Sequence, residues 1–180
     1  MKLVRIMTAG LIAAGFATPV LAQSCLQPAE RTGIEVRALQ SQLMVAALAC
    51  NKTNDYNTFV TRYQRDLGEA YKAVTNHFKR VHGAVQGQKQ LDIFITQLAN
   101  AQSQDGIDQG STFCQNVTPL FQQSLAQNTS MAQLASISMQ SNVVVPYELD
   151  TCTGATAAPV RETPAATRRA APSRARTASR

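Results

Sequence analysis

The chain has 180 residues and a formal net charge of +6, but that charge sits at its ends. Residues 23–152 hold nine Lys/Arg against ten Asp/Glu, so the body is nearly neutral and nucleic acid is not an expected partner. Roughly 130 residues of body suit one domain with one core, and neither an internal repeat nor a second domain is visible.

Residues 1–22 read as a cleavable secretory signal. Lys2 and Arg5 form a positive start, and residues 6–16 are apolar apart from Thr8 and two glycines. That run is too short to cross a bilayer of ~30 Å, which takes about 20 helical residues. Pro19 breaks it, and Val20 and Ala22 place small or modest side chains before a cleavage site after Ala22. The mature chain is expected to start at Gln23 and to be periplasmic or secreted. No later apolar run approaches membrane-spanning length, the longest being residues 43–50. No transmembrane span is therefore expected after cleavage, and the compartment is expected to be oxidising.

The body reads as helices. Residues 30–50 form the first, and its second half is apolar on all sides, which predicts a helix at the centre of the bundle. Tyr56, Phe59, Tyr63, Leu67, Tyr71, Val74, Phe78 and Val81 recur at steps of three and four. That stripe predicts one long helix over 55–82, capped by Asn54 or Asp55 and ended by Gly83 in a left-handed conformation. Its tyrosines 56, 63 and 71 are expected in the core. A third helix covers 88–104, and the turn-rich stretch 104–110 reads as a loop. A fourth starts near Ser111, with a kink expected near Val117 because Pro119 removes a backbone donor. Residues 130–139 suggest a short fifth helix, and 143–146 look extended. The expected fold is all-α: an antiparallel bundle of four main helices and a short fifth.

Four cysteines, Cys25, Cys50, Cys114 and Cys152, allow three pairings. Cys25 and Cys50 flank a helix of ~30 Å, far beyond disulfide reach. In an up-down bundle Cys50 and Cys114 meet at one end, leaving Cys25 with Cys152 to close the ordered region. None lies at zinc-ligand spacing from another, so bridges are preferred over a metal site.

Catalytic signals are missing from the pattern. His77 and His82 are five apart on a helix and do not converge as an i, i+4 pair would. His82 suits the last turn, where a cation meets the helix dipole. No nucleophile elbow occurs, and Asp66 and Glu69 lie among Arg62, Arg65 and Lys72 as a solvated face. The oxygen-rich stretches 51–57 and 105–110 do not fit a calcium loop. No catalytic residue, cofactor or metal ligand is assigned. Gln86, Gln88, Gln90, Gln97, Gln102, Gln104, Gln122 and Gln123 are expected on exposed faces. They suit solubility, or hydrogen bonding to glycans or a partner helix.

Residues 154–180 form an Ala/Pro/Arg-rich tail that is expected to be disordered, since it has almost no large apolar side chain to offset the ordering cost. Arg161, Arg168, Arg169, Arg174, Arg176 and Arg180 are candidate contacts to an anionic envelope polymer or lipid headgroups, each contributing about 1 kcal/mol near an anionic membrane. A solvated extension without a partner is the preferred reading of the two.

The run Leu43-Met44-Val45-Ala46-Ala47-Leu48-Ala49-Cys50, then Tyr56-Asn57-Thr58-Phe59-Val60, then Phe113-Cys114, resembles small exported helical proteins of alphaproteobacteria that have no assigned function. The resemblance covers roughly 25–125, implies a Gram-negative periplasmic or outer-envelope setting, and carries no active residue over. The expectation is a non-enzymatic binding or envelope-structural module over 23–153, with another envelope protein as a further candidate partner. An envelope enzyme or inhibitor, or a small-ligand carrier with a cavity inside the bundle, is the alternative.

Overall fold

The structure, a computed structural model, describes residues 24–126, 130–148 and 150–152. The signal segment 1–22 and the tail 154–180 lie outside them. Among the described residues the chain forms α1 (Pro28–Ala49), α2 (Thr53–Arg62), α3 (Gln64–His82), α4 (Ala84–Gln109), a 3-10 turn (Gly110–Thr112), α5 (Phe113–Ser124) and α6 (Met131–Gln140). The all-α bundle expected from the sequence is present. No helix among these residues is long and apolar enough to cross a membrane.

Helix α1 opens with Pro28, whose missing N–H costs nothing in a first turn, and with Glu30, whose carboxylate accepts the Gln27 N–H at 2.8 Å. It contacts each of the other five α-helices and is the axis of the bundle. Its N-terminal half packs Ile34 and Ala38 with Val74, Phe78, Leu91, Phe94 and Leu98 of α3 and α4. Its C-terminal half packs Leu39 and Leu43 with Phe59, Tyr63, Phe113, Phe121 and Leu134. The second half is not buried all round, however. Leu48 is 76% exposed and Met44 is also at the surface, because α1 meets neighbours on only part of its circumference there.

The helix expected over 55–82 is two helices. Tyr63 stands between them with a flattened backbone (φ −105°, ψ 20°). The bonds Tyr63 N–H to Phe59 O (3.0 Å) and Leu67 N–H to Tyr63 O (2.8 Å) persist across the junction. The apolar stripe therefore runs through the break, and periodicity cannot register it. The junction serves another element: the Tyr63 hydroxyl donates to Ala126 O at 3.1 Å and the Arg62 guanidinium to Leu125 O. Both carbonyls lie just past the end of α5, where helix carbonyls lack partners of their own. Tyr71 leaves the core stripe, 42% exposed, with the Arg37 guanidinium over its ring at 5.5 Å.

Gly83 alone joins α3 to α4. Its φ is positive (+78°) as expected, but its ψ of 171° is extended rather than left-handed helical, a region open essentially to glycine alone. Helix α4 is longer than expected at both ends. The stretch read as a loop, 104–110, is helical up to Gln109. Two i, i+4 pairs hold it, Gln104 to Asp108 (2.9 Å) and Gln109 to Asp105 (2.7 Å). Gly106 is there for space rather than for a turn: a Cβ at this position would meet the Phe113 ring at 3.2 Å. Pro119 sits inside α5, which continues to Ser124.

Helices α1 and α6 both end in Schellman closures with asparagine in the left-handed position. Asn51 has φ +56° and Lys52 N–H reaches Ala47 O at 3.0 Å; Asn142 has φ +49° and Val143 N–H reaches Ser138 O at 3.1 Å. After α6 the chain runs extended along the bundle. Leu26 and Thr151 form an isolated parallel bridge, with Leu26 N–H to Asp150 O at 2.8 Å.

Candidate functional site

The four cysteines pair as Cys25–Cys152 and Cys50–Cys114, the preferred pairing of the sequence reading. The first joins the entry to α1 with the end of the described chain. The second ties the end of α1 to the start of α5. The candidate tail contacts Arg161, Arg168, Arg169, Arg174, Arg176 and Arg180 lie outside the described residues.

Beneath Cys25–Cys152 lies a buried polar cluster that the sequence did not announce. Glu30 of α1 receives a two-pronged bond from Arg80 of α3, Nε to Oε1 at 2.8 Å and Nη2 to Oε2 at 2.6 Å. Arg80 also donates to the Cys25 carbonyl at 2.7 Å. His77 is fully buried; its Nδ1 stands 3.1 Å from Glu30 Oε2 and its Nε2 2.6 Å from the Tyr147 hydroxyl. Arg80 Nη2 also stands 3.2 Å from Nδ1, so that nitrogen faces both a carboxylate that only accepts and a guanidinium that only donates, and the Tyr147 hydroxyl can serve either tautomer at Nε2. Tyr147 is held in place by Phe78 and Phe94, with ring centroids at 5.4 and 5.6 Å.

Burial pushes the His77 imidazolium down from its ordinary 6.5, and the nearby Glu30 carboxylate only partly counters it. For Glu30, burial pushes up, but the Arg80, Gln27 and His77 hydrogen bonds together win and hold it below 4.5. Burial raises the Tyr147 phenol, so it is not activated toward the phenolate. Each member is satisfied by the next, and the imidazole is closed off from solvent. The cluster is a clasp joining α1, α3, Cys25 and the C-terminal segment. The sequence reading assigned His77 no role of its own; its signal was its place on the inner stripe between Val74 and Phe78. Glu30 gave none, because its partners lie some 50 residues away.

A second feature faces outward. From Gln109 to Tyr147 the chain has no Asp, Glu, Lys, Arg or His. Helices α5 and α6 therefore present only amides, hydroxyls and apolar groups. Where α5 meets α4, α1 and the turn after α6 there is an open cleft of about 430 Å³, within the range of small-ligand sites. Five amide side chains line it: Gln42, Gln109, Asn116, Gln123 and Asn142. Three groups are already linked, with Asn116 Nδ2 donating to Gln109 Oε1 (2.8 Å) and Gln109 Nε2 to Asp105. Val117, Leu120 and Val143 supply aliphatic surface. Gln42, from the central helix, is 5% exposed and its Oε1 has no hydrogen-bond partner. A buried carbonyl left unpaired costs about 1–3 kcal/mol.

The cleft is held by buried polar bonds behind it. Gln102, which the sequence reading put on an exposed face, is fully buried; its amide donates to Ala38 O and to Val144 O, each at 3.0 Å. That locks α4, α1 and the extended segment together. Ser138 Oγ donates to the buried Glu35 carboxylate at 2.9 Å, fixing α6 on α1. Gln123 is exposed as expected and stands in the cleft wall. The amide-rich composition was visible in the sequence, but its focus on one cleft was not, since the five residues come from four separate segments.

Compared with known protein families, with curated proteins and with solved structures, the chain matches none.

Proposed function

We propose that the protein is an exported, non-enzymatic binding module of the cell envelope that works through the amide-lined cleft. The observation that carries this reading is the lining of the open cleft: among the described residues, five side-chain amides beside one carboxylate, Asp105, and no cation. Side-chain amides offer donors and acceptors together to a neutral polar ligand. The enclosed clasp supports a structural role for the principal ionisable cluster, because its histidine is spent on holding Glu30 and Tyr147.

Export is supported by the signal-like segment 1–22, with cleavage after Ala22, and by two disulfides, which persist in oxidising compartments. The periplasm of a Gram-negative cell fits both, and fits the resemblance of residues 25–125 to exported alphaproteobacterial proteins. The six tail arginines add a salt-screened attraction to anionic envelope components. Cleft and tail are thus separate contributions, one short-range and neutral, the other electrostatic.

Co-sedimentation with purified envelopes separates them. The full chain should pellet at low and high salt. A chain ending at residue 153 should bind less than the full chain at low salt and equally at high salt. Asn116→Leu combined with Gln123→Leu should lose the salt-resistant part. Equal recovery of the double variant and the full chain at high salt overturns the cleft's role.

A further inference from the structure

We infer that the cleft recognises a neutral, N-acetylated oligosaccharide; this rests on the binding-module reading and names its ligand class. Charge is the first constraint. The one ionisable side chain lining the cleft is Asp105, and its carboxylate accepts from Gln109 Nε2 at 2.7 Å. With no cation in its wall among the described residues, the cleft offers nothing there to draw an anionic ligand out of water.

The second constraint is the pairing of donors with acceptors. Each side-chain amide offers two N–H donors and one carbonyl. The ligand must therefore display donors and acceptors together. An acetamido group does so with one N–H and one C=O, and sugar hydroxyls do so singly. The third constraint is the aliphatic surface of Val117, Leu120 and Val143 beside the amides. It suits the C–H faces of a pyranose and the acetamido methyl.

An extended peptide would meet the same amides but fits less well. Peptides in that mode gain affinity from a free backbone edge. The extended segment at the cleft already gives the Val144 carbonyl to Gln102 at 3.0 Å.

The test is a titration of the isotope-labelled full chain, with both disulfides intact, followed by NMR. The probes are a β-1,4-linked N-acetylglucosamine tetramer, the corresponding glucose tetramer, and an uncharged peptide of similar length. Expected are saturable shifts of the Asn116, Gln123 and Asn142 side-chain amides with the N-acetylated tetramer, and at least about fivefold weaker binding of the glucose tetramer. Asn116→Leu with Gln123→Leu, both at the surface, should weaken binding at least tenfold. Peptide preferred over sugar, shifts confined to residues outside the cleft, or unchanged affinity in the Asn116→Leu, Gln123→Leu variant overturns the inference. If the sugars fail while binding to envelopes still depends on Asn116 and Gln123, the ligand class falls and the binding module stands. If both fail, both readings fall.

Discussion

Replacing Glu30 by glutamine keeps its shape but leaves the Arg80 guanidinium without its counter-charge and turns one of the two acceptor oxygens shared by Arg80 and His77 into a donor. The Arg80 side chain is 27% exposed, so Glu30→Gln should lower the urea midpoint at pH 7, with a loss smaller than the about 3 kcal/mol of a fully buried pair, whereas a shift within error would mean the clasp is idle. Acid tests the same residues. The His77 proton is disfavoured in the folded chain, so below the ordinary value of 6.5 the unfolded state binds more protons. The stability this contributes is complete above pH 6.5 and is lost as the pH falls from there through the depressed folded value. Glu30, held below 4.5, adds a second loss at lower pH. Urea midpoints should therefore fall from pH 7.5 to 5, and His77→Gln should flatten that slope; a midpoint that rises on acidification contradicts the assignment. At this scale the sequence was least informative. A histidine on an inner stripe is readable, but its partners at positions 30 and 147 are set by tertiary packing. Gln102 was misplaced for a similar reason: a glutamine reads as surface until the backbone carbonyls of Ala38 and Val144 are known to face it.

At the scale of elements, long-period signals were legible and single-residue events were not. The stripe from Tyr56 to Val81 predicted helix, and helix is present, but the flattening at Tyr63 leaves the period intact. Stretch 104–110 was misread because Gly106 and the acids resemble turn chemistry. In the structure the acids make i, i+4 bonds and the glycine admits a phenylalanine ring. Gly83 makes an element-scale prediction. It is the whole connection between α3 and α4, at φ +78° and ψ 171°. An alanine there carries strain of order 1–3 kcal/mol, although a Cβ would meet no neighbouring atom within 4 Å. Gly83→Ala should destabilise by that amount in urea unfolding without altering the helix content of the folded state. No measurable loss would mean that the turn relaxes to another conformation.

For the molecule as a whole, bundle architecture and disulfide pairing were both legible, because helix length and up-down order constrain which cysteines can meet. The Cys50–Cys114 bridge closes a loop of 64 residues, for which the chain-entropy relation gives about 4 kcal/mol. Replacing both cysteines by alanine should cost about that much in unfolding free energy. A loss near zero would mean that packing of α1 on α5 alone fixes that end. The cleft was not legible, because its walls come from α1, α4, α5 and the turn after α6 and converge only on folding. Its stability rests on the same parts: the bridge at one end of α1, the clasp at the other, and Gln102 and Glu35 between.

Hydrogen–deuterium exchange of the full chain with and without purified envelope polymer tests the binding claim most directly. Slowed exchange should concentrate in residues 105–123 and 138–144, which carry the outer cleft walls, while α3 remains unchanged. Protection absent from those segments, or confined to α3, would contradict a binding module built on this cleft.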